Sequence, residues 1–253
     1  MTRDSDQIFY RLIRLNECMF AVSTYCLHRE PLGIALEKLA SVTGSVEVMD
    51  DGLHFIDTPE ILLSYSFSYS IHAPSRGVNI ASLLEPIRMA SVQVTDECFA
   101  IAAEVNAPVI VHPGYFAWLE EREMAERQML KSIAELRVLA EERGVEMTVE
   151  NMGNWDYFFL RTPSELTLID GTSFCLDIGH AHLNNCLPEF LTYPFAHIHV
   201  HDNNGTLDSH SPVGEGTIDF SAVTTAIQRE KVIPVIEVET LEGVLESVRR
   251  LGF

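Results

Sequence analysis

Apolar residues along the chain fall into two alternating kinds of segment. Short runs rich in Val, Ile, Phe and Tyr recur eight times, at residues 18–27, 45–50, 65–73, 107–114, 145–152, 173–180, 196–203 and 232–239. Their length and β-branched content predict strands. Between them the spacing becomes helical. Val94, Cys98, Ile101 and Val105 are four, three and four apart, and Met129, Ile133, Leu136 and Ala140 repeat that interval. Gly144, directly after Glu141, Glu142 and Arg143, marks the end of the second helix. The second and sixth helices must be short.

Strands that alternate with helices predict parallel βαβ units, and eight such units close a barrel rather than extend an open sheet. The expected class is therefore α/β, a single (β/α)8 TIM barrel. The 253 residues match the usual size of about 250 for that fold. No Pro/Gly/Ser-rich linker or change of composition divides the chain, so one domain over residues 1–253 is expected.

Charge then narrows the partners. There are 37 acidic and 17 basic side chains, a formal charge of −20. Such a surface disfavours DNA and anionic membranes, because a basic footprint supplies most non-specific phosphate affinity. Five dispersed cysteines without a C-x-x-C pair, Cys18, Cys26, Cys98, Cys175 and Cys186, indicate neither a disulfide framework nor a cysteine zinc site. The charged N-terminus lacks the apolar core of a signal peptide, and no run is long enough for a membrane span. A cytoplasmic location is the expectation, with no prediction for oligomeric state.

Barrel enzymes carry their chemistry at the C-terminal ends of the strands. Here the third run ends in His72, the fourth in His112, the fifth in Glu150, the sixth in Asp177 with His180, the seventh in His199 and His201, and the eighth in Glu237 and Glu239. One histidine at a strand end is commonly a hydrogen-bonded structural residue. Six consecutive strands ending in potential ligands point to metal, since a carboxylate is rarely buried unless it is paired or coordinates a cation. Imidazole and carboxylate without thiolate suit zinc first, with manganese and iron(II) also compatible. The donors outnumber the needs of one ion, so two or three are expected.

The phrases SIHAPSRGVNIAS, VIVHPG, VENMGN, CLDIGHAH, HIHVHDNNG, DSHSPVGEG and PVIEVE stand in the order found in the xylose isomerase-like TIM-barrel superfamily. That superfamily includes endonuclease IV (AP endonuclease family 2) and many sugar and sugar-phosphate isomerases and epimerases. The resemblance runs from about residue 65 to the end. Similarity to endonuclease IV implies three zinc sites: His72, His112 and Glu150; Glu150 as a bridge with Asp177, His199 and Glu237; and His180, Asp208 and His210. Glu239 is the alternative to Glu237, since both positions share strand parity. A multinuclear site of this type implies hydrolysis of a phosphoester, with Glu150, Glu237 and His180 as candidate catalytic residues.

The superfamily's isomerases and epimerases need only four of these ligands around one ion, equivalent to Glu150, Asp177, His199 and Glu237, and there a proton is moved beside a carbonyl. This is the alternative expectation, and a non-catalytic metal- or ligand-binding barrel is a third. After His72, where endonuclease IV carries wedges for bending DNA, the chain reads Ala73, Pro74, Ser75 and Arg76. A small phosphorylated or sugar-like substrate therefore fits better than abasic-site DNA. Arg76, His182, His201 and Glu47 are the expected substrate contacts. Asn151 is a candidate to orient Glu150, Trp118 and Trp155 to wall a pocket, and the Gly-Glu-Gly at 214–216 to offer backbone N–H groups to an anion.

Overall fold

A computed structural model describes residues 19–253. Residues 1–18, which include Cys18, the charged N-terminal segment and the first position of the first predicted strand, lie outside the described residues. Eight parallel strands close into a barrel in sequence order: β1 (Ala21–Ser23), β2 (Ser45–Met49), β3 (Ser68–His72), β4 (Val109–Val111), β5 (Met147–Glu150), β6 (Ser173–Asp177), β7 (His197–Val200) and β8 (Val235–Ile236). The seam closes where Ala21 registers with Val235. Each of the eight apolar runs contains one strand, and the expected α/β barrel is the fold observed.

Helices fill the connections: α1 (Leu32–Leu39), α2 (Glu60–Leu63), α3 (Glu85–Val105), α4 (Arg122–Arg143), α5 (Ile178–Leu183), α6 (Leu187–Phe190), α7 (Phe220–Glu230) and α8 (Leu241–Leu251). The segments after β2 and β6 are short, as the spacing predicts. Gly144 ends α4 at a φ of 69°, a left-handed position that glycine adopts without a Cβ penalty. Between β5 and β6 the chain instead forms a 3-10 helix, Pro163–Ile169, started by a capping box of Thr162 and Glu165. Among the described residues no helix is long and apolar enough to cross a membrane.

Alternation along the strands decides what faces the barrel axis. Val46, Val48, Tyr69, Ile71, Val149, Phe174, Leu176, Ile198 and Val200 join the apolar cluster between strands and helices. Their neighbours, Glu47, Ser70, His72, Thr148, Glu150, Cys175, Asp177, His197 and His199, are also buried but take the other parity, towards the axis. Barrels usually fill that interior with branched aliphatic residues. Here five strands line it with polar and ionisable groups, which must be satisfied by one another or by cations.

Candidate metal centre

The C-terminal rim gathers the nine expected ligands into three contiguous groups. In the first, His72 Nε2 and His112 Nε2 stand 3.1 Å apart, and each is 3.2 Å from Glu150 Oε2. In the second, His199 Nδ1 lies 3.3 Å from Glu237 Oε2, 3.4 Å from Glu150 Oε1 and 3.8 Å from Asp177 Oδ2. In the third, Asp208 Oδ2 is 3.1 Å from His180 Nε2 and 3.4 Å from His210 Nε2. Glu150 thus touches the first two groups, and its Oε1 is also 3.3 Å from His180 Nδ1.

Hydrogen bonds to backbone carbonyls orient three of the histidines. His72 Nδ1–H donates to Ala73 O at 3.0 Å, His180 Nδ1–H to Asn151 O at 2.9 Å and His210 Nδ1–H to Glu237 O at 2.9 Å. A carbonyl can only accept, so each Nδ1 carries a proton and each neutral ring turns the lone pair of Nε2 toward carboxylate oxygen. Lone pairs facing lone pairs at these distances require a cation between them, either a proton or a metal. His199 Nδ1 is buried without a hydrogen-bond partner, although three carboxylates surround it. The donor set therefore fits divalent metal, and the N/O composition suits zinc, manganese or iron(II).

In the metal-free protein, protons take that role. Burial opposes protonation of His72, but its hydrogen bond and charge interaction with Glu150 outweigh it and push the imidazole up to about 9. Burial is likewise overcome at His210, chiefly by Asp208 and Glu237, again to about 9. Asp208 and Glu150 are held well below the usual carboxylate range: burial pushes both up, but His180 outweighs it at Asp208, and His199 with His112 at Glu150. Raised histidines stabilise the fold fully below the unfolded value of 6.5 and lose that contribution as pH rises through about 9. Chelator-treated protein is accordingly expected to melt several degrees lower at about pH 9.5 than at pH 6.5. Metal-loaded protein should show the opposite trend, because ligand histidines must be neutral to bind. Parallel melting curves for the two forms would count against metal at these histidines.

Asp202 shapes the loop that carries Asp208 and His210. Its Oδ1 accepts N–H from Asn203 and Ile218 at 2.9 and 3.2 Å, and its Oδ2 accepts from Gly214 and Gly216 at 2.9 Å each. The anion expected for the Gly-Glu-Gly backbone is thus the protein's own Asp202. An antiparallel bridge between Asp202 and Ser211 folds the loop back over the rim, and His210 sits at a φ of 41°, a region costly for a residue with a Cβ. A Cβ on Gly216 would lie 2.2 Å from Asn203 O, and one on Gly179 2.0 Å from His201 Cε1. Both positions require glycine.

The rim opens on a cavity of about 500 Å³, lined by His72, His112, Glu150, His180, Asp208, His210 and Glu237 together with Tyr25, Arg76, Tyr115, Trp155 and Phe158. Asp177 and His199 lie beneath its floor with no exposed surface. Among the described residues, Arg76 is the one Lys or Arg in the lining. Trp155 packs against Tyr115, Tyr157 and Phe158 in tilted or edge-to-face contacts at centroid distances of 4.9–5.8 Å, whereas Trp118 is absent from the lining and 65% exposed.

Three of the four expected substrate contacts fall elsewhere. Glu47 is buried deep in the barrel beside His197 and His199. His201 Nε2 contacts both Asp177 carboxylate oxygens at 3.1 and 3.2 Å, and its ring stacks on His210 at 4.0 Å. His182 is tied to Thr217 Oγ1 at 2.8 Å, off the cavity. Asn151 orients Asp177 rather than Glu150: its Nδ2–H donates to Asp177 O at 2.9 Å and its Oδ1 accepts Asp177 N–H at 2.8 Å. Strand parity does not extend to Glu239, because β8 ends at Ile236; Glu239 is half exposed beside Arg29 while Glu237 lines the cavity. Tyr25, whose ring packs 4.9 Å from His210, is a wall residue that the sequence reading missed.

Residues 58–251 match the model of a family described as xylose isomerase-like TIM barrel. The chain belongs to this family. Among curated relatives, the uncharacterized protein MJ1614 of Methanocaldococcus jannaschii is 35% identical over 201 residues, 78% of each chain. Among solved structures, a D-tagatose 3-epimerase-like protein is 27% identical with a TM-score of 0.86, covering 92% of this chain and 96% of that one. The IOLI protein with a zinc atom is 18% identical with a TM-score of 0.72, over 92% and 93%. Sugar epimerases are thus among the structural neighbours of this xylose isomerase-like barrel, and the second of these two structures contains zinc.

Proposed function

We propose that this protein is a divalent-metal enzyme that isomerises or epimerises a small sugar or sugar phosphate. The observation that carries the reading is the placement of Glu150 and Glu237. Both carboxylates line the cavity and both reach the same His199 nitrogen, at 3.4 and 3.3 Å. Two carboxylates converging on one ligand point can take a proton from a carbon beside a carbonyl and return it. Similarity to the D-tagatose 3-epimerase-like protein supports the same class. Glu150, Asp177, His199 and Glu237 would hold the central metal, zinc preferred, which when bound polarises the substrate carbonyl and its neighbouring hydroxyl.

The chain's own residues supply the rest. Trp155 and Phe158 offer apolar faces for a sugar ring, which suits a cavity within the range of small-molecule sites. Arg76 would meet an anionic substituent such as phosphate at the mouth, and His180 would hold a proton between Asp208 and Glu150. The net charge of −20 and a cavity whose described lining holds a single arginine favour a small partner over DNA.

A second reading, hydrolysis of a phosphoester, is favoured by one specific observation: the His72/His112/Glu150 and His180/Asp208/His210 groups exceed what a one-metal epimerase needs. Assay of metal-loaded protein against ketoses, their phosphates and phosphoesters, abasic-site DNA included, separates the two. Interconversion of a ketose or its phosphate is the expected result, and Arg76→Ala should raise KM about tenfold or more for the phosphorylated substrate alone. Release of inorganic phosphate or strand cleavage, with no sugar interconverted, would sink the epimerase reading.

A further inference from the structure

Glu47 lies inside the barrel with no exposed surface, and none of the chemistry above uses it. It comes from β2, whereas the two histidines it meets, His197 and His199, come from β7, across the β1–β8 seam. Its Oε2 accepts the Ser70 hydroxyl at 2.9 Å and the His197 Nε2–H at 2.7 Å. Its Oε1 stands 2.9 Å from His199 Nε2 but off the N–H direction, so the two make no hydrogen bond and neither atom has another hydrogen-bond partner. The opposite nitrogen of the same ring, Nδ1, faces Glu150, Asp177 and Glu237.

A neutral imidazole has one N–H and one lone pair. A buried carboxylate against Nε2 favours the proton there, because the alternative tautomer would set a lone pair against an anion in a dry interior. The proton on Nε2 leaves the lone pair on Nδ1, the nitrogen aimed at the carboxylates of the rim. Ser70 and His197 occupy Oε2, so Oε1 alone remains for His199.

We infer that Glu47 is a positioning residue: reaching across the barrel, it fixes His199 in the Nε2–H tautomer and orientation that present Nδ1 to the metal. The inference rests on the metal reading of His199 and adds a partner that sequence reading had placed among substrate contacts. Carboxylates behind metal-ligating histidines contribute about 10- to 100-fold in metal affinity. The neighbouring Cys175, His197 and His199 could themselves group around an ion, which is the competing account of the same cluster.

Two measurements decide it. Zinc affinity is measured by chelator competition in wild type and in the isosteric Glu47→Gln variant, and the His199 tautomer is read from nitrogen-15 shifts of histidine-labelled, zinc-loaded wild-type protein. The expected results are a zinc affinity about 10- to 100-fold weaker in the variant, with an unchanged far-ultraviolet dichroism spectrum, and a wild-type His199 protonated at Nε2. Undiminished zinc affinity in the folded variant would overturn the inference. So would a wild-type spectrum with the proton on Nδ1, which needs no substitution to observe. An additional tightly held zinc that disappears in Cys175→Ser would overturn it as well, because Glu47 would then sit beside a second ligand cluster. Wild-type protein that binds no zinc would remove the metal centre and the positioning role together.

Discussion

Glu150→Ala is expected to empty the metal centre and to lower activity by about 10³-fold or more, the combined loss of a ligand and of an acid–base group. The size of the effect follows from connectivity. Glu150 Oε2 faces His72 and His112, while Oε1 faces His199 and His180. Among the described residues no other carboxylate contacts four of the histidines in the proposed ligand set, so its loss disconnects two donor groups at once. At neutral pH the metal-free variant should also be destabilised by about 3–5 kcal/mol, since histidines protonated through Glu150 would lose their buried counter-charge. Metal content by elemental analysis and thermal melting after chelation measure the two effects separately. Glu150→Gln keeps the volume and should lose the metal nearly as completely, because the charge is what the histidines answer. Retention of two equivalents of zinc by either variant would show that Glu150 does not join the groups.

The barrel is legible in the chain because its signal is local and repeated. Each strand carries its own apolar run, and the ligands fall where those runs end. Ends are less legible, because a run of apolar residues continues past the point where the chain stops pairing. The run 18–27 reads as a strand throughout, yet β1 stops at Ser23, whose side chain accepts the Tyr25 N–H and starts a 3-10 turn over Thr24–Leu27. That turn swings Tyr25 over the cavity. The same overrun placed Glu239 on strand parity with Glu237.

Depth along the barrel axis is the second limit. Glu47 and His199 take the inner face of their strands, but the height of each depends on the stagger between strands, a property of the closed sheet and of no single segment. Glu47 registers with Ser70 and Met49 with His72, so Glu47 lies two residues below the rim on which His72 stands. Its partners are therefore other side chains of the barrel interior. His201 and Asn151 follow the same logic: each is close in sequence to a proposed ligand, and each spends its hydrogen bonds on Asp177, a ligand from β6.

Asp202→Ala is expected to free the loop from Asn203 to Ile218 and to destabilise the protein by about 3–5 kcal/mol. Four backbone N–H groups converge on this carboxylate, which has no exposed surface. Each buried donor left without an acceptor costs about 1–3 kcal/mol, less where water can enter. Asp202→Asn keeps one acceptor oxygen and should fall between the two, because its amide N–H₂ faces donors. The loop brings Asp208 and His210 to His180, so both variants should lose metal selectively from that group while His72, His112 and Glu150 keep theirs. That selectivity bears on mechanism. An epimerase relying on Glu150, Asp177, His199 and Glu237 should retain most of its kcat after the outer group is emptied. A phosphoesterase that needs every group should lose nearly all of it. Thermal melting, zinc stoichiometry and kcat measured on the same preparation of Asp202→Asn therefore test the loop and the reaction together. An unchanged melting temperature with full metal content would mean that the four hydrogen bonds do not hold the loop.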